Sequence, residues 1–537
     1  MKKAVFALVL LLSSVSALKM SFQRRAPPNA GAPVSANFDV VRGSLAAGDE
    51  NDDGTTELAN VADIRYTTDI LINGVKVHVA LDTGSTDIWV APPDGLGVFN
   101  DTGIPLSLAY GDGSYGVAGK IAVSEFEFGD YSIKRQAYLA VDEANVSGLF
   151  EHGIYGLLGL SFNSVSASPI NAAVQEVYGP EATWGHSALR NIFEQHPDQP
   201  NFIALDLART EDLEDTSGGS FGIGEYDEDY IAIKNAPKLA QFPKGGDRWT
   251  TLLEGVTVDG KAIPLKPKTE GVPSGHHLTL LDTGDPYALI PTYLADAIYS
   301  RIPGSVPYDG ADGRVWLVPC NANSSVAFIF GGEEFPIHPL DLSNIRTIDV
   351  ASEDTSFSVC VSTLKGVDDW SSAYEISLGD SFLRNVYTVF DFGDTLPDGT
   401  VGEPYMQLLS QLDVKEAAGE VEEVRSRTLA THPPEIDPIT ALAYLTGNVD
   451  SASASSKHKS DGVVSEEVEA ESSNVKSTAQ AVSAWPYGSV VMLGLLGANT
   501  VMLLVLSVFV ILLWVRRGRT TVVKQDSRYL PLHGQEK

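Results

Sequence analysis

Two short segments of this chain repeat one another 200 positions apart. Ala80-Leu81-Asp82-Thr83-Gly84-Ser85 runs on into Thr86-Asp87-Ile88-Trp89-Val90, and Leu280-Leu281-Asp282-Thr283-Gly284-Asp285 runs on into Pro286 to Ile290. Each carries apolar residues into Asp-Thr-Gly and apolar residues out of it. At ordinary residue frequencies a given tripeptide of this kind falls about once in a few thousand residues. Two copies in similar surroundings point to two related halves, each delivering a carboxylate on a tight turn. If the halves face one another, Asp82 and Asp282 stand across a cleft. Carboxylates that close cannot both ionise, so they share a proton and titrate as a unit. The ionised member can deprotonate a bound water while the protonated one donates to a carbonyl oxygen. Gly84 and Gly284 permit the turn behind each Asp, and the hydroxyls of Thr83 and Thr283 can brace the loops.

The surroundings of the motif are those of an all-β chain. From about Ile64 to about Leu412, short apolar runs are broken every 8–12 residues by Gly, Asp or Pro. Ile70-Leu71-Ile72, Val77 to Leu81, Ile121 to Phe128 and Tyr138 to Val141 are examples. Helical pieces are few, with Ser187 to Gln195 and Tyr293 to Arg301 the clearest.

The two ends point to the secretory pathway. Residues 1–17 have the form of a signal peptide: Lys2 and Lys3, an apolar run from Ala4 to Leu12, then Val15-Ser16-Ala17 for cleavage. Residues 18–60 read as a leader or prosegment with a dibasic pair, Arg24-Arg25, as a processing site. Val490 to Val515 holds no charged residue and is long enough to span a bilayer as a helix. Trp485, Tyr487 and Trp514 lie near its ends, and Arg516, Arg517 and Arg519 follow at once. A GPI signal would lack the hydrophilic tail 516–537 that follows. A single-pass protein with its bulk lumenal or extracellular is expected, at the cell surface or in a vacuole or endosome. Residues 413–487, rich in acidic residues, Ser and Ala, read as a solvated stalk.

Composition excludes other classes. With 37 Lys and Arg against 70 Asp and Glu, the net charge is −33, which argues against nucleic acid as a partner. Two cysteines exclude a disulfide-rich scaffold and a cysteine-based zinc module. The histidines show no ligand spacing, and His276-His277 reads as a solvated loop. No metal site is expected.

Over residues 62–412 the chain resembles the pepsin-like aspartic proteases, with a fungal cast. Tyr110-Gly111-Asp112-Gly113-Ser114 resembles the hairpin flap that closes over substrate, and Trp89 the tryptophan supporting the flap tyrosine. Gly156-Leu157-Leu158-Gly159-Leu160 and Leu378-Gly379-Asp380-Ser381-Phe382 resemble the segments that cross the two active-site loops. The resemblance implies a bilobal β fold with a cleft between an N-terminal lobe, 61–238, and a C-terminal lobe, 239–412. It implies an aspartic endopeptidase, monomeric, acting on polypeptides at acidic pH without a cofactor. Asp82 and Asp282 would be the dyad, supported by Thr83, Gly84, Ser85, Thr283, Gly284 and Asp285. Tyr110, Gly111, Asp112 and Trp89 would serve the flap, and Cys320 and Cys360 would form the C-lobe disulfide.

The chain departs from that pattern at Asp285, where the family places Thr or Ser, and at Ser377, where it places an apolar residue. Asp285 leaves open a catalytically impaired surface protein that keeps the fold and binds peptides. As an acid beside the dyad, it makes a coupled set of three carboxyls. Asn100, Asn145 and Asn323 head N-glycosylation sequons. Tyr529-Leu530-Pro531-Leu532 has the Tyr-x-x-apolar form read by sorting adaptors, and Gly494 with Ala498 could form a helix-packing face.

Overall fold

The computed structural model describes residues 18–25 and 65–447, apart from short stretches at 112–114, 147, 208–211, 213–218, 311–312, 351–354, 369–370, 372 and 395–400. The signal segment, the apolar segment 490–515, the sorting motif and Asp112 lie outside the described residues. Among those described, no helix is long and apolar enough to cross a membrane.

Strands dominate, as the turn spacing predicts. β1 (Leu18–Arg25), β2 (Arg65–Ile72), β3 (Val75–Asp82), β4 (Ile88–Val90), β5 (Asn100–Tyr110), β6 (Tyr115–Phe128), β7 (Tyr131–Asn145) and β8 (Gly156–Gly159) build one half. Asn73-Gly74, with φ of 53° and 76°, turns β2 into β3. Asp259-Gly260, at 49° and 70°, turns Gly255–Val258 into Lys261–Ile263 in the other half. Both are Asx-Gly pairs in the left-handed region, the turn that matches the twist of a hairpin.

The halves repeat one design around their Asp-Thr-Gly loops. β3 runs parallel to β8, with Leu81 opposite Leu158, and β4 pairs antiparallel on the other side of β8. In the second half His277–Leu281 runs parallel to Ile376–Leu378, with Leu281 opposite Leu378, and Ala288–Ile290 pairs antiparallel beyond it. The chain returning from each loop is therefore crossed by a strand from far along the sequence. Only glycine fits at the crossing. A Cβ on Gly159 would drive into the backbone of Thr86 and Asp87, and one on Gly379 into the carbonyls of Asp285 and Tyr287.

A shared sheet joins the halves. Val386–Asp391 pairs with Phe202–Asp206, Thr388 opposite Leu205, and Tyr405–Ser410 continues beyond it. Trp249 is fully buried nearby, packed on Phe162, Phe390 and Phe392 at centroid distances of 4.2, 5.1 and 4.7 Å. The first stretch of the expected leader, β1, is a strand of this sheet, between β2 and Gly219–Ile223. The pair Arg24-Arg25 thus lies in a strand, not in a loose leader.

The helices are α1 (Pro169–Tyr178), α2 (Ala188–Gln195), α3 (Thr292–Tyr299), α4 (Asp380–Leu383), α5 (Val414–Leu429) and α6 (Pro438–Thr446). α2 and α3 fall where helices are expected. α5 and α6 correct the reading of 413 onward as a stalk, which cannot begin before the end of α6. Asp413 caps α5 by accepting the N–H groups of Lys415 and Glu416 at 2.9 and 3.1 Å, and Asp437 caps α6. Ala417, Val421, Val424 and Arg425 are buried at the spacing of one helical face. The acidic, Ala-rich composition that suggested a solvated segment belongs to the opposite face.

The Cys320–Cys360 disulfide is present, with Cα atoms 5.1 Å apart. His277 corrects a second expectation. It is fully buried, with Nδ1 2.8 Å from Glu375 Oε2 and Nε2 2.6 Å from the Tyr293 hydroxyl.

Candidate active site

The two Asp-Thr-Gly loops meet where the halves touch. The Thr83 hydroxyl donates to Leu281 O at 2.9 Å and accepts the Thr283 N–H at 3.0 Å. The Thr283 hydroxyl donates to Leu81 O at 3.0 Å and accepts the Thr83 N–H at 3.1 Å. Both threonines are buried, so these four bonds are made without competition from water.

The carboxylates sit directly in front of this lock. Asp82 Oδ1 accepts Gly84 N–H at 2.8 Å, and Asp282 Oδ1 accepts Gly284 N–H at 2.8 Å. Each also faces the other loop's glycine. A Cβ on Gly84 would stand 2.5 Å from both Asp282 oxygens, and one on Gly284 would collide with Asp82. The glycines are thus required by the closeness of the two acids as well as by the turn.

The second oxygens are treated differently. Asp82 Oδ2 accepts the Ser85 hydroxyl at 2.5 Å. Asp285 holds the corresponding place in the second loop, yet its Oδ1 accepts Tyr287 N–H at 3.0 Å, and it is joined to Asp282 through its backbone N–H on Asp282 O at 3.2 Å, not through its carboxyl. Burial, then the charge of Asp82, then that of Asp285 hold the Asp282 carboxyl well above the ordinary range. Burial also raises Asp285, against the Tyr287 N–H and the cations Arg65 and Lys365.

Of the flap residues, Tyr110 comes within electrostatic reach of Asp82 and Asp87 in the first loop. β5 and β6 form a hairpin with Tyr110 opposite Tyr115 and Gly111 at a φ of 59°. Burial, Asp82 and Asp87 push the Tyr110 phenol well up. Trp89 is fully buried, edge-on to Phe150 at 6.4 Å, and its indole N–H approaches Tyr110 without a well-aligned hydrogen bond.

Residues 97–396, more than half of the chain, match the sequence model described as eukaryotic aspartyl protease. The chain belongs to the eukaryotic aspartyl protease family. It is 26% identical to pepsin A of Sus scrofa over 360 residues, covering 63% of this chain and 81% of that protein. It is 25% identical over 335 residues to the aspartic-type endopeptidase ctsD of Aspergillus fumigatus, covering 59% of this chain and 61% of that protein. With the probable vacuolar protease A of Arthroderma benhamiae the identity is 27% over 348 residues, covering 60% and 74%. The chain is accordingly an aspartic endopeptidase. The matched span begins beyond Asp82 and contains Asp282.

Sequence reasoning missed several residues around the loops of this aspartyl protease. Asp87, five positions after Asp82, is buried and accepts the Ser168 hydroxyl and, at 2.9 Å, the Ile170 N–H, which ties the first loop to α1. Its signal was a lone acid immediately ahead of the apolar run Ile88-Trp89-Val90. Arg248 donates to Gly84 O at 3.3 Å, and Tyr374 lies beside it. Nothing local marks either residue. The three sequon asparagines, Asn100, Asn145 and Asn323, are all exposed, and the Asn323 side-chain amide donates to Ala418 O of α5 at 2.7 Å.

Proposed function

We propose that Asp82 and Asp282 are the catalytic dyad of this endopeptidase. The observation that carries the reading is the reciprocal Thr83–Thr283 lock, which holds the two loops together so that each carboxylate fills the space a side chain on the opposing glycine would need. One proton is shared by the pair, and burial together with the neighbouring Asp82 charge favours the protonated form of Asp282. Asp82 then takes a proton from a water held between the acids, and the resulting hydroxide attacks the scissile carbonyl carbon. Asp282 gives its proton to the carbonyl oxygen, which yields a tetrahedral gem-diol. Collapse breaks the C–N bond, with the proton on Asp82 passing to the departing amine and the one on the diol returning to Asp282. Tyr110 and Gly111 close over the bound peptide, with Asp112 as an acceptor for a substrate N–H.

The protein acts at acidic pH, anchored in a membrane by 490–515 after removal of 1–17, with Tyr529 to Leu532 read by a sorting adaptor. The likeness to the probable vacuolar protease A of Arthroderma benhamiae supports a vacuolar setting. Asn100, Asn145 and Asn323, all exposed, carry glycans. The test is cleavage of a denatured protein at acidic pH, inhibited by pepstatin and lost in Asp82→Asn and Asp282→Asn by at least about a hundredfold. Retention of turnover in either variant overturns the assignment.

A further inference from the structure

Arg248 stands beside the first Asp-Thr-Gly loop, and among the described residues no carboxylate pairs with it. Its backbone is fixed by the next residue, buried Trp249, whose indole N–H donates to Leu160 O at 3.1 Å. The Arg248 guanidinium reaches Gly84 O at 3.3 Å and lies 5.9 Å from the centre of the Tyr374 ring. Both partners border the dyad. Gly84 is the residue whose Cβ would touch Asp282, and burial and then the Asp282 charge push the Tyr374 phenol far up.

Several other cations of the described residues already have partners. Lys268 pairs with Asp368 at 3.6 Å, Lys244 with Glu403 at 2.9 Å, and Lys266 lies over the Tyr293 ring at 5.1 Å. Asp247, next to Arg248 in the chain, offers its backbone carbonyl to Ser161 and forms no ion pair among the described residues. A guanidinium has five N–H donors in a planar fork, and here a single carbonyl engages it. Half-buried in a chain of net charge −33, it has the geometry to take a carboxylate in bidentate fashion. Tyr374 also borders a neighbouring cavity of about 390 Å³, lined by Lys266 and Lys268 and by Glu270, Asp368 and Glu375, to which Arg248 itself does not contribute.

We propose that Arg248 binds an acidic side chain of the substrate, so that this protease selects Asp or Glu near the scissile bond on the side of the cleft where Arg248 lies. The inference rests on the dyad reading above. It is tested with the full-length protein on peptide pairs that differ only as Glu or Gln at each of several positions flanking one cleavage site. At pH 5.5, one position shows kcat/KM about tenfold higher for Glu than for Gln, the worth of a charge-assisted bond in a partly dry site. At pH 3.5 the ratio falls toward unity as the substrate Glu, with an ordinary pKa of about 4.3, takes up its proton. Comparing both peptides at one pH cancels the titration of Asp82, Asp282 and Asp285.

Arg248→Gln brings the ratio at pH 5.5 to unity, and Arg248→Lys restores part of it. A wild-type ratio near unity at every position overturns the proposal, as does a preference that survives Arg248→Gln or ignores pH. If Arg248→Gln loses its cooperative thermal transition, the wild-type ratio, its pH dependence and Arg248→Lys decide. Cleavage of the same peptides by Asp82→Asn would instead overturn the dyad reading, whatever the ratio.

Discussion

Thr83 and Thr283 each receive the other's backbone N–H on a side-chain hydroxyl, at 3.0 and 3.1 Å, across 200 residues of chain. Each hydroxyl also donates to the carbonyl that precedes the opposite Asp, Leu281 O or Leu81 O. The two loops can therefore shift only together, and the spacing of Asp82 and Asp282 is set by groups that touch no substrate.

Thr83→Ala removes both bonds of one hydroxyl and leaves Thr283 N–H and Leu281 O buried without partners. A loss of about 2–4 kcal/mol in stability is expected. kcat falls more than KM rises, because the carboxylates lose register while the walls of the cleft remain. Thr83→Ser keeps the hydroxyl and recovers most of both. Chemical denaturation and steady-state kinetics on the three proteins check this.

Asp285 bears on pH. Its charge raises Asp282, and its own oxygen is turned to Tyr287 N–H. Asp285→Thr takes that charge away, so the Asp282 carboxyl loses its proton at lower pH. The neutral-side limb of the kcat/KM profile then moves toward acid, with activity retained at the optimum. Superimposable profiles for the two proteins would show that the acid does not couple to the dyad.

Two buried groups oppose one another in the pH dependence of stability. Burial raises Asp87 to about 6 from 3.8, against its Ser168 and Ile170 donors. The fold favours its protonated form, so its contribution is complete below 3.8 and is lost as pH rises through 6. The size is on the order of 3 kcal/mol, about two units at 1.36 kcal/mol each. Burial lowers His152 to about 4 from 6.5. Its neutral form is favoured, and that contribution is complete above 6.5 and is lost as pH falls through 4. Between pH 4 and 6 the two largely offset each other. Asp87→Asn leaves His152 alone, so its melting temperature falls more steeply than wild type on acidification through this window. Parallel curves from thermal unfolding at stepped pH would refute this.

Arg425 ties α5 to both halves. Its Nη2 donates to Leu340 O and Ser343 O at 3.1 Å each, and its Nε lies 3.2 Å from Asp212 Oδ2. Both members of this ion pair are buried, so Arg425→Leu strands Asp212 away from water. A destabilisation of about 3–5 kcal/mol follows. Asp212→Asn together with Arg425→Leu regains part of it. Urea denaturation of both proteins measures the difference.

The β class, the hairpin turns at Asn73-Gly74 and Asp259-Gly260 and the duplicated carboxylate loop were all legible in the chain alone. Each rests on residues within a few positions of one another, where a left-handed turn, an alternation of burial or a repeated tripeptide acts locally. The caps of α5 were legible in the same way, at Asp413 and Glu416, but bulk composition masked them. With two cysteines only one pairing within the chain is possible, and that Cys320 and Cys360 come within bonding reach was implied by the family resemblance and decided by the fold.

Tertiary structure decided what the rest of the site is. Arg248 reaches Gly84 across 164 positions, and Asp212 meets Arg425 only after the chain has crossed from one half to the other. His277 looked solvated beside His276, and packing buried it against Glu375 and Tyr293. Asp285 stands in the place of a hydroxyl donor, and the local backbone turned it to Tyr287. Side-chain partners at such separations depend on how two sheets dock, and docking is a property of the whole core that no window of sequence contains. Sequence determined which residues could do the chemistry, and the packing of two halves determined which of them face each other.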